Sequence, residues 1–197
     1  MYSSWLGLVV AAYLLGAVPF GLLVARLWGG PDPRRVGSGN IGATNVARTV
    51  SKPAGVVTLV LDVAKGALPA ALALGWQGPE QFWLAPLTGL AAFLGHCWPV
   101  YLRFKGGKGV ATAMGVYLSL APAALVGVLA LFVLLAWKTG HVSVGSLASC
   151  TSAPLWMLIT GQNLAVVMVT LVMALVVIYR HKDNLARLRQ GAEHGWR

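Results

Sequence analysis

A lysine set among glycines, Gly106-Gly107-Lys108-Gly109, stands between two apolar segments of this chain. A second glycine-rich run, Gly37-Ser38-Gly39-Asn40-Ile41-Gly42-Ala43-Thr44-Asn45, stands between two others. Glycine lets a backbone turn tightly and approach a ligand, and successive N–H groups in such a turn converge on an anion. Lys105, Lys108 and Arg48 supply the positive charge that a phosphate requires. Ser38, Asn40, Thr44 and Asn45 add neutral hydrogen-bonding groups. Two more polar groups follow downstream: His141, Ser143 and Ser146, then His181 and Asn184. The chemistry implied is the handling of phosphate beside apolar segments.

Each motif alone has a plainer explanation. Gly106–Gly109 lacks the GxxxxGK[ST] spacing of a P-loop, since Val110 follows Gly109, and it also fits a flexible loop with a topogenic lysine. The run from Ser38 to Asn45 also reads as helix caps and Asx turns. His181 to Asn184 also reads as a solvated helix end. Absences narrow the chemistry further. No His is followed five residues later by Asp, so the HxxxxD signature of the common acyl-CoA and acyl-carrier glycerolipid acyltransferases is missing. There is no GxSxG elbow. Only five acidic residues are present, too few for a carboxylate cluster that holds Mg²⁺, and no metal site is expected.

The elements that must position these groups are membrane helices. Of 197 residues, 57% are hydrophobic and 10% charged, far below the charge content of a soluble domain. The net charge of +10 falls between apolar runs, which suits the positive-inside rule better than nucleic acid. Cys97 and Cys150 lie in apolar surroundings without metal spacing, so both read as buried free thiols. The first apolar run lacks a basic leader and a cleavage site, and reads as a retained helix rather than a signal peptide.

Apolar stretches cover 5–28, 53–76, 82–102, 110–137, 142–160 and 163–180. A crossing helix needs roughly 20 apolar residues, and the 28-residue stretch carries Pro122 near its middle. Proline breaks or kinks a helix, so this stretch is one long kinked helix or a hairpin of two short ones, 110–121 and 122–137. The charges decide. With a hairpin, 14 of the 15 basic residues fall on one side; the exception is Lys65. The expectation is therefore an all-α polytopic protein of seven spans, one integral membrane domain over 1–197, with the N-terminus outside and the 181–197 tail in the cytoplasm. The loop at Gly78-Pro79-Glu80 and the one at Gly161-Gln162-Asn163, both without basic residues, fall outside. Lys65 lies three residues after Asp62 on one helical face, which predicts an ion couple turned into the bundle. His96 reads as a hydrogen-bonded structural histidine. Trp5, Trp28, Trp76 and Trp83 fall near span ends as interface anchors. Polar groups on one membrane face suit an active site rather than a channel, which is polar along its length. A carrier of small organic phosphates is the alternative, against which stand the sparse polar groups of the outer half and the lack of visible repeats.

Taken in order, Tyr13–Gly21, Val36–Val46, Asp62-Val-Ala-Lys-Gly66, Gly95-His-Cys-Trp-Pro99, Phe104–Thr112 and His181-Lys-Asp-Asn-Leu185 resemble the bacterial acyl-phosphate-dependent glycerol-3-phosphate acyltransferases, the PlsY family. The likeness runs from about residue 10 to 190. It implies a seven-span enzyme of the bacterial inner membrane with its active site on the cytoplasmic face. It also implies a reaction: acyl phosphate and sn-glycerol 3-phosphate give lysophosphatidic acid and phosphate, the first acylation of phospholipid synthesis. No cofactor, metal, acyl-CoA, acyl-carrier protein or nucleic acid is implied, and the enzyme is expected to work as a monomer among membrane lipids.

On this reading the catalytic set is Ser38, Arg48, Lys108 and His181. Lys108 and Arg48 neutralise phosphate, and Ser38, Asn40 and the N–H groups of Gly37, Gly106, Gly107 and Gly109 donate to it. Thr44, Asn45 and Lys105 complete the substrate-binding set in these loops. The family's motifs imply that His181 and Asn184 hold glycerol phosphate, with Ser146 a further candidate. The proton acceptor is either His181 or the phosphate of the acyl donor, and the donor phosphate is favoured because no carboxylate is placed to orient an imidazole. A covalent acyl-Ser38 is less favoured, since no triad is visible.

Overall fold

The computed structural model describes residues 2–78 and 81–196, so the turn residues Pro79 and Glu80 and the tail residue Arg197 lie outside the described residues. Ten α-helices and no strands occur among those described. Helix α1 (Tyr2–Ala17) gives way to α2 (Phe20–Leu27) at Val18-Pro19, where proline supplies no N–H, yet the two continue as one apolar span, Trp5–Leu27. A short α3 (Ala43–Thr49) interrupts the following loop. Helix α4 (Lys52–Trp76) begins where its local sequence directs: Ser51 Oγ accepts from the Ala54 N–H at 3.2 Å, and proline sits in the first turn.

Helix α5 covers only Leu84–Cys97, after which Pro99 leads into a 3₁₀ turn (Val100–Leu102) and irregular backbone from 105 to 109. This corrects the expected span of 82–102. The apolar residues Val100 and Leu102 continue the hydropathy but not the helix, because Pro99 cannot donate to the helical ladder. Arg103 and Phe104 then take left-handed backbone, at φ 51° and 63°. Helix α6 (Val110–Leu120) and α7 (Pro122–Thr139) part at Ala121, with proline in the first turn of α7 and left-handed Gly140 at its C-cap. Helix α8 (Val142–Ile159) follows, then α9 (Leu164–Arg180), whose N-cap Asn163 accepts from the Val166 N–H at 3.1 Å. The tail carries a further helix, α10 (Lys182–Arg189), which the hydropathy did not announce.

Among the described residues, four helices, counting Trp5–Leu27 as one, are long and apolar enough to cross a bilayer. A fifth is added if α9 and α10, bent by 53°, are taken together. The chain forms two compact units, residues 1–116 and 117–197. In the first, α1 and α4 pack on α5, and α2 and α3 pack on α4. Val24, Val46 and Ala54 meet in a buried cluster joined by Val50, Val57 and Leu61, which fixes α2, α3 and the start of α4 together. In the second unit, α8 packs against both α7 and α9. Many large apolar side chains point outward, among them Leu72, Trp76, Val126 and Leu155, as expected where lipid is the solvent. Cys97 and Cys150 are buried thiols that form no disulfide, as the sequence implied.

Candidate active site

The loop before α3 is organised by Asn45, which is buried. Its Nδ2 donates to the carbonyls of Pro33, Val36 and Asn40 at 2.8, 3.1 and 2.9 Å. Its Oδ1 accepts from the Ser38 N–H at 2.9 Å. One amide therefore gathers backbone from residues 33 to 40 into a single shape. Asn40 closes an Asx turn, its Oδ1 accepting from the Gly42 N–H at 2.8 Å. The two asparagines expected to bind substrate spend the groups seen here on the loop's own backbone. Thr44 and Arg48, four residues apart on α3, share its exposed face, while Asn45 and Val46 on the opposite face are buried. Ser38 is half-buried and lies between left-handed Gly37 and Gly39. At the outer edge of the loop, Asp32 accepts from Arg34 at 2.6 to 3.1 Å. That side-chain hydrogen bonding holds the Asp32 carboxyl at about 2.

The second loop is pinned from below. The Gly107 N–H donates to the His96 carbonyl at 3.0 Å, and the Gly109 carbonyl accepts from Ala113 at 2.8 Å, opening α6. Gly107 and Gly109 are buried, Lys108 between them is half-buried, and Lys105 is exposed. Lys108 therefore rises from backbone that is enclosed on both sides.

Beneath these loops lies the ion couple the sequence predicted, and it is larger than expected. Lys65 Nζ stands 2.8 Å from Asp62 Oδ1, and both residues are 2% exposed. His96 Nδ1 lies 3.6 Å from the same oxygen, an electrostatic contact longer than a hydrogen bond.

In the second unit, His181 sits at the junction of α9 and α10 and is buried. Its Nδ1 lies 2.8 Å from the Val177 carbonyl. A carbonyl only accepts, so Nδ1 carries a proton, and in the neutral ring Nε2 is then an acceptor. Asn184, one turn later and also buried, donates to Glu193 Oε1, while Arg187 Nε donates to Oε2 at 2.8 Å. Partial burial acts to raise the Glu193 carboxyl, but hydrogen bonds from Asn184 and Arg187 outweigh it and hold the group below its ordinary value. Ser146 on α8 is buried, and its carbonyl accepts from Ser149 Oγ at 3.2 Å. His141, at the N-cap of α8, turns its Nδ1 to the Thr139 carbonyl at 2.7 Å.

Sequence reasoning missed Glu193 and Trp196. Trp196 donates from Nε1 to the Ala136 carbonyl at 3.0 Å and from its backbone to Gly140 at 3.0 Å, folding the tail onto the end of α7. The one available signal for Glu193 was its rarity, since it and Asp183 are the two carboxylates of a strongly basic tail. No group of three or more His, Cys, Asp or Glu side chains able to hold a metal occurs among the described residues.

The fold thus defines a helical integral membrane protein carrying two glycine-rich loops on its first unit. Residues 6–191 match the family described as glycerol-3-phosphate acyltransferase. A glycerol-3-phosphate acyltransferase of Syntrophotalea carbinolica is 46% identical over 192 residues, covering 98% of this chain and 97% of that one. Its counterpart in Aquifex aeolicus is 44% identical, covering 95% of this chain and 96% of the other. The crystal structure of the integral membrane glycerol 3-phosphate acyltransferase PlsY (YgiH) in its glycerol 3-phosphate form superposes with a TM-score of 0.94 at 41% identity, over 98% of this chain and 96% of that one. Its lysophosphatidic acid form gives 0.91 at 40% identity, with the same coverage. The chain belongs to the glycerol-3-phosphate acyltransferase family. It is an enzyme, an integral membrane acyltransferase, and the resemblance carried by its ordered motifs holds.

Proposed function

We propose that the enzyme transfers a fatty acyl group from acyl phosphate to the 1-hydroxyl of sn-glycerol 3-phosphate. The observation that carries this reading is the pair of glycine loops in the first unit, each with its backbone held in place and a cation beside it. Two anion-holding loops suit a reaction in which both substrates bear phosphate. The relatives of known structure are described with glycerol 3-phosphate and with lysophosphatidic acid, the acceptor and product of this transfer.

The substrate hydroxyl oxygen attacks the acyl carbonyl carbon. An ester C–O bond forms, the C–O bond to the phosphate breaks, and phosphate leaves with the electron pair. Acyl phosphate is already activated, so the protein supplies orientation and charge rather than a covalent intermediate. Lys108 and Arg48 neutralise phosphate charge; Ser38, Asn40, Thr44 and the N–H groups of the loops add hydrogen bonds, with Lys105 at the rim. Asn45 serves by shaping its loop. In the second unit, His181, through Nε2, and Asn184, oriented by Glu193, hold glycerol phosphate, with Ser146 beside them in role. The departing phosphate takes the hydroxyl proton.

The same reading places the chain in the bacterial inner membrane with seven spans, the N-terminus outside and the reacting loops on the cytoplasmic side. The charge asymmetry of the loops supports this, as does the break at Ala121-Pro122. Purified protein given palmitoyl phosphate and glycerol 3-phosphate in EDTA is expected to form lysophosphatidic acid and phosphate, and palmitoyl-CoA is expected to form none. Equal product from both donors would overturn the donor assignment. Folded protein that makes no product from either, yet moves glycerol 3-phosphate into proteoliposomes, would establish the carrier instead. His181→Gln is expected to raise KM while kcat stays within about tenfold, because an obligatory general base contributes roughly 10²–10⁴.

A further inference from the structure

We propose that the buried Asp62–Lys65–His96 cluster is a positioning device that sets both glycine loops of the first unit from a single carboxylate. The proposal rests on the assignment of those loops to substrate phosphate.

A buried ion pair is a poor stabiliser. Taking two charges out of water costs several kcal/mol per ion by general estimates, and well-packed apolar residues often replace such pairs without loss. The couple on α4 therefore calls for a second explanation, and its contacts supply one. Lys65 reaches the backbone at the start of α2, and Asp62 faces the ring of His96, whose own carbonyl holds the second loop.

Lys65 Nζ donates to the Val18 carbonyl at 3.0 Å and lies 5.6 Å from the centre of the Phe20 ring. Val18 is the joint between α1 and α2, where Pro19 interrupts the helical ladder. Lysine thus fixes the point from which α2 departs. One residue past Phe20, Gly21 lies against the first loop so closely that a Cβ there would sit 1.8 Å from the Ile41 carbonyl oxygen. The position of α2 consequently fixes Ile41, between Asn40 and Gly42.

His96 serves the other loop. Its carbonyl accepts from the Gly107 N–H, and its ring lies under the same glycine, where a Cβ would stand 2.1 Å from Nε2. The Asp62 carboxylate faces Nδ1 on the opposite edge of that ring. Any displacement of the ring moves Gly107, and Lys108 is the next residue. Asp62 Oδ1 is the atom both routes share: one passes through Lys65, Val18 and α2 to Ile41, the other through His96 to Gly107.

The test separates positioning from simple stability. Asp62→Asn leaves Lys65 buried without its counter-charge and is expected to lower Tm and to raise KM for both substrates at least tenfold. The double variant D62N/K65M removes both charges at nearly constant volume. It is expected to recover most of the lost Tm yet to keep KM raised at least fivefold for acyl phosphate and glycerol 3-phosphate alike, with kcat within about threefold. Recovery of both Tm and wild-type KM would reduce the cluster to ordinary packing and overturn the proposal. If neither Asp62 variant folds, His96→Gln decides: it keeps the Asp62–Lys65 pair, and an unchanged KM in a folded His96→Gln protein overturns the proposal equally. Lys108→Ala, measured in parallel, guards the premise. Unchanged kcat/KM in that variant means that the loop assignment itself is wrong. A large loss there, beside a wild-type KM in D62N/K65M, overturns the positioning role alone.

Discussion

The polar groups of the first unit and those of the second are held in opposite ways. In the first, irregular backbone is fixed by backbone and by one buried amide: Asn45 ties residues 33 to 40 together, and Gly107 hangs from the His96 carbonyl. The charge is supplied by Arg48 on the exposed face of α3 and by Lys108 between two buried glycines. In the second, the frame is regular helix and the fixing is done by side chains returning from downstream, since Glu193 grips Asn184 and Arg187 while Trp196 caps α7. Loops whose backbone is fixed and whose cations are long side chains suit anions that differ in shape, such as a substrate and its transition state. Two buried side chains on a helix turn suit one small ligand in one orientation.

That difference can be broken from either side. The largest effect is expected for Lys108→Ala and Arg48→Ala, each lowering kcat/KM about 10²–10³-fold, the range lost with a transition-state charge donor; steady-state kinetics with saturating acceptor reads it. Next is Asn45→Ala. It strands three carbonyls and one N–H and is expected to cost about 3 kcal/mol, seen as a lowered Tm and as a raised KM. If the loop were held from elsewhere, this variant would keep its KM.

Glu193→Gln tests the second unit and should act through Asn184. A carboxyl held below its ordinary value stabilises the fold when ionised, so its contribution is present at neutral pH and is lost as pH falls through the lowered value. The Tm difference between wild type and E193Q is therefore expected at pH 7, should begin to shrink near about pH 4, the ordinary glutamate range, and should vanish only once the pH has passed below the lowered value. A difference that persists in acid would show that the contact is not electrostatic. The smallest effect is expected for Asp32→Ala. Its pairing with Arg34 is exposed, and such pairs contribute little, so kcat/KM should move less than about twofold.

The same contrast marks what the sequence disclosed. The loops of the first unit were legible because glycine, lysine and asparagine in close succession are rare in apolar surroundings, and their chemistry is local. The boundary between α6 and α7 was legible because Pro122 encodes it locally. Where a structural cause lay far along the chain, the reading fell short. Hydropathy extended the third span to residue 102, though Pro99 ends the helix and turns the backbone toward the glycine loop. The bonds of Asn45 to residues 33 and 36 were not legible, because nothing local announces them. Glu193 lies nine residues beyond Asn184 with no shared periodicity, so only the folded tail joins them.

Helix α6 has eleven residues, which at 1.5 Å each make about 16 Å, roughly half the hydrocarbon thickness. Irregular backbone at such depth is tolerated only where protein or a polar cavity encloses it, and Gly107 and Gly109 are enclosed against His96, Phe93 and Cys97. The lysine between them is thereby set in backbone walled by protein rather than by solvent. For the proposed acyl-phosphate donor, which water can also cleave, the outcome would be a matter of competition. Beside such walls water is scarce, so on the proposed reaction the enclosure would favour esterification over wasteful hydrolysis.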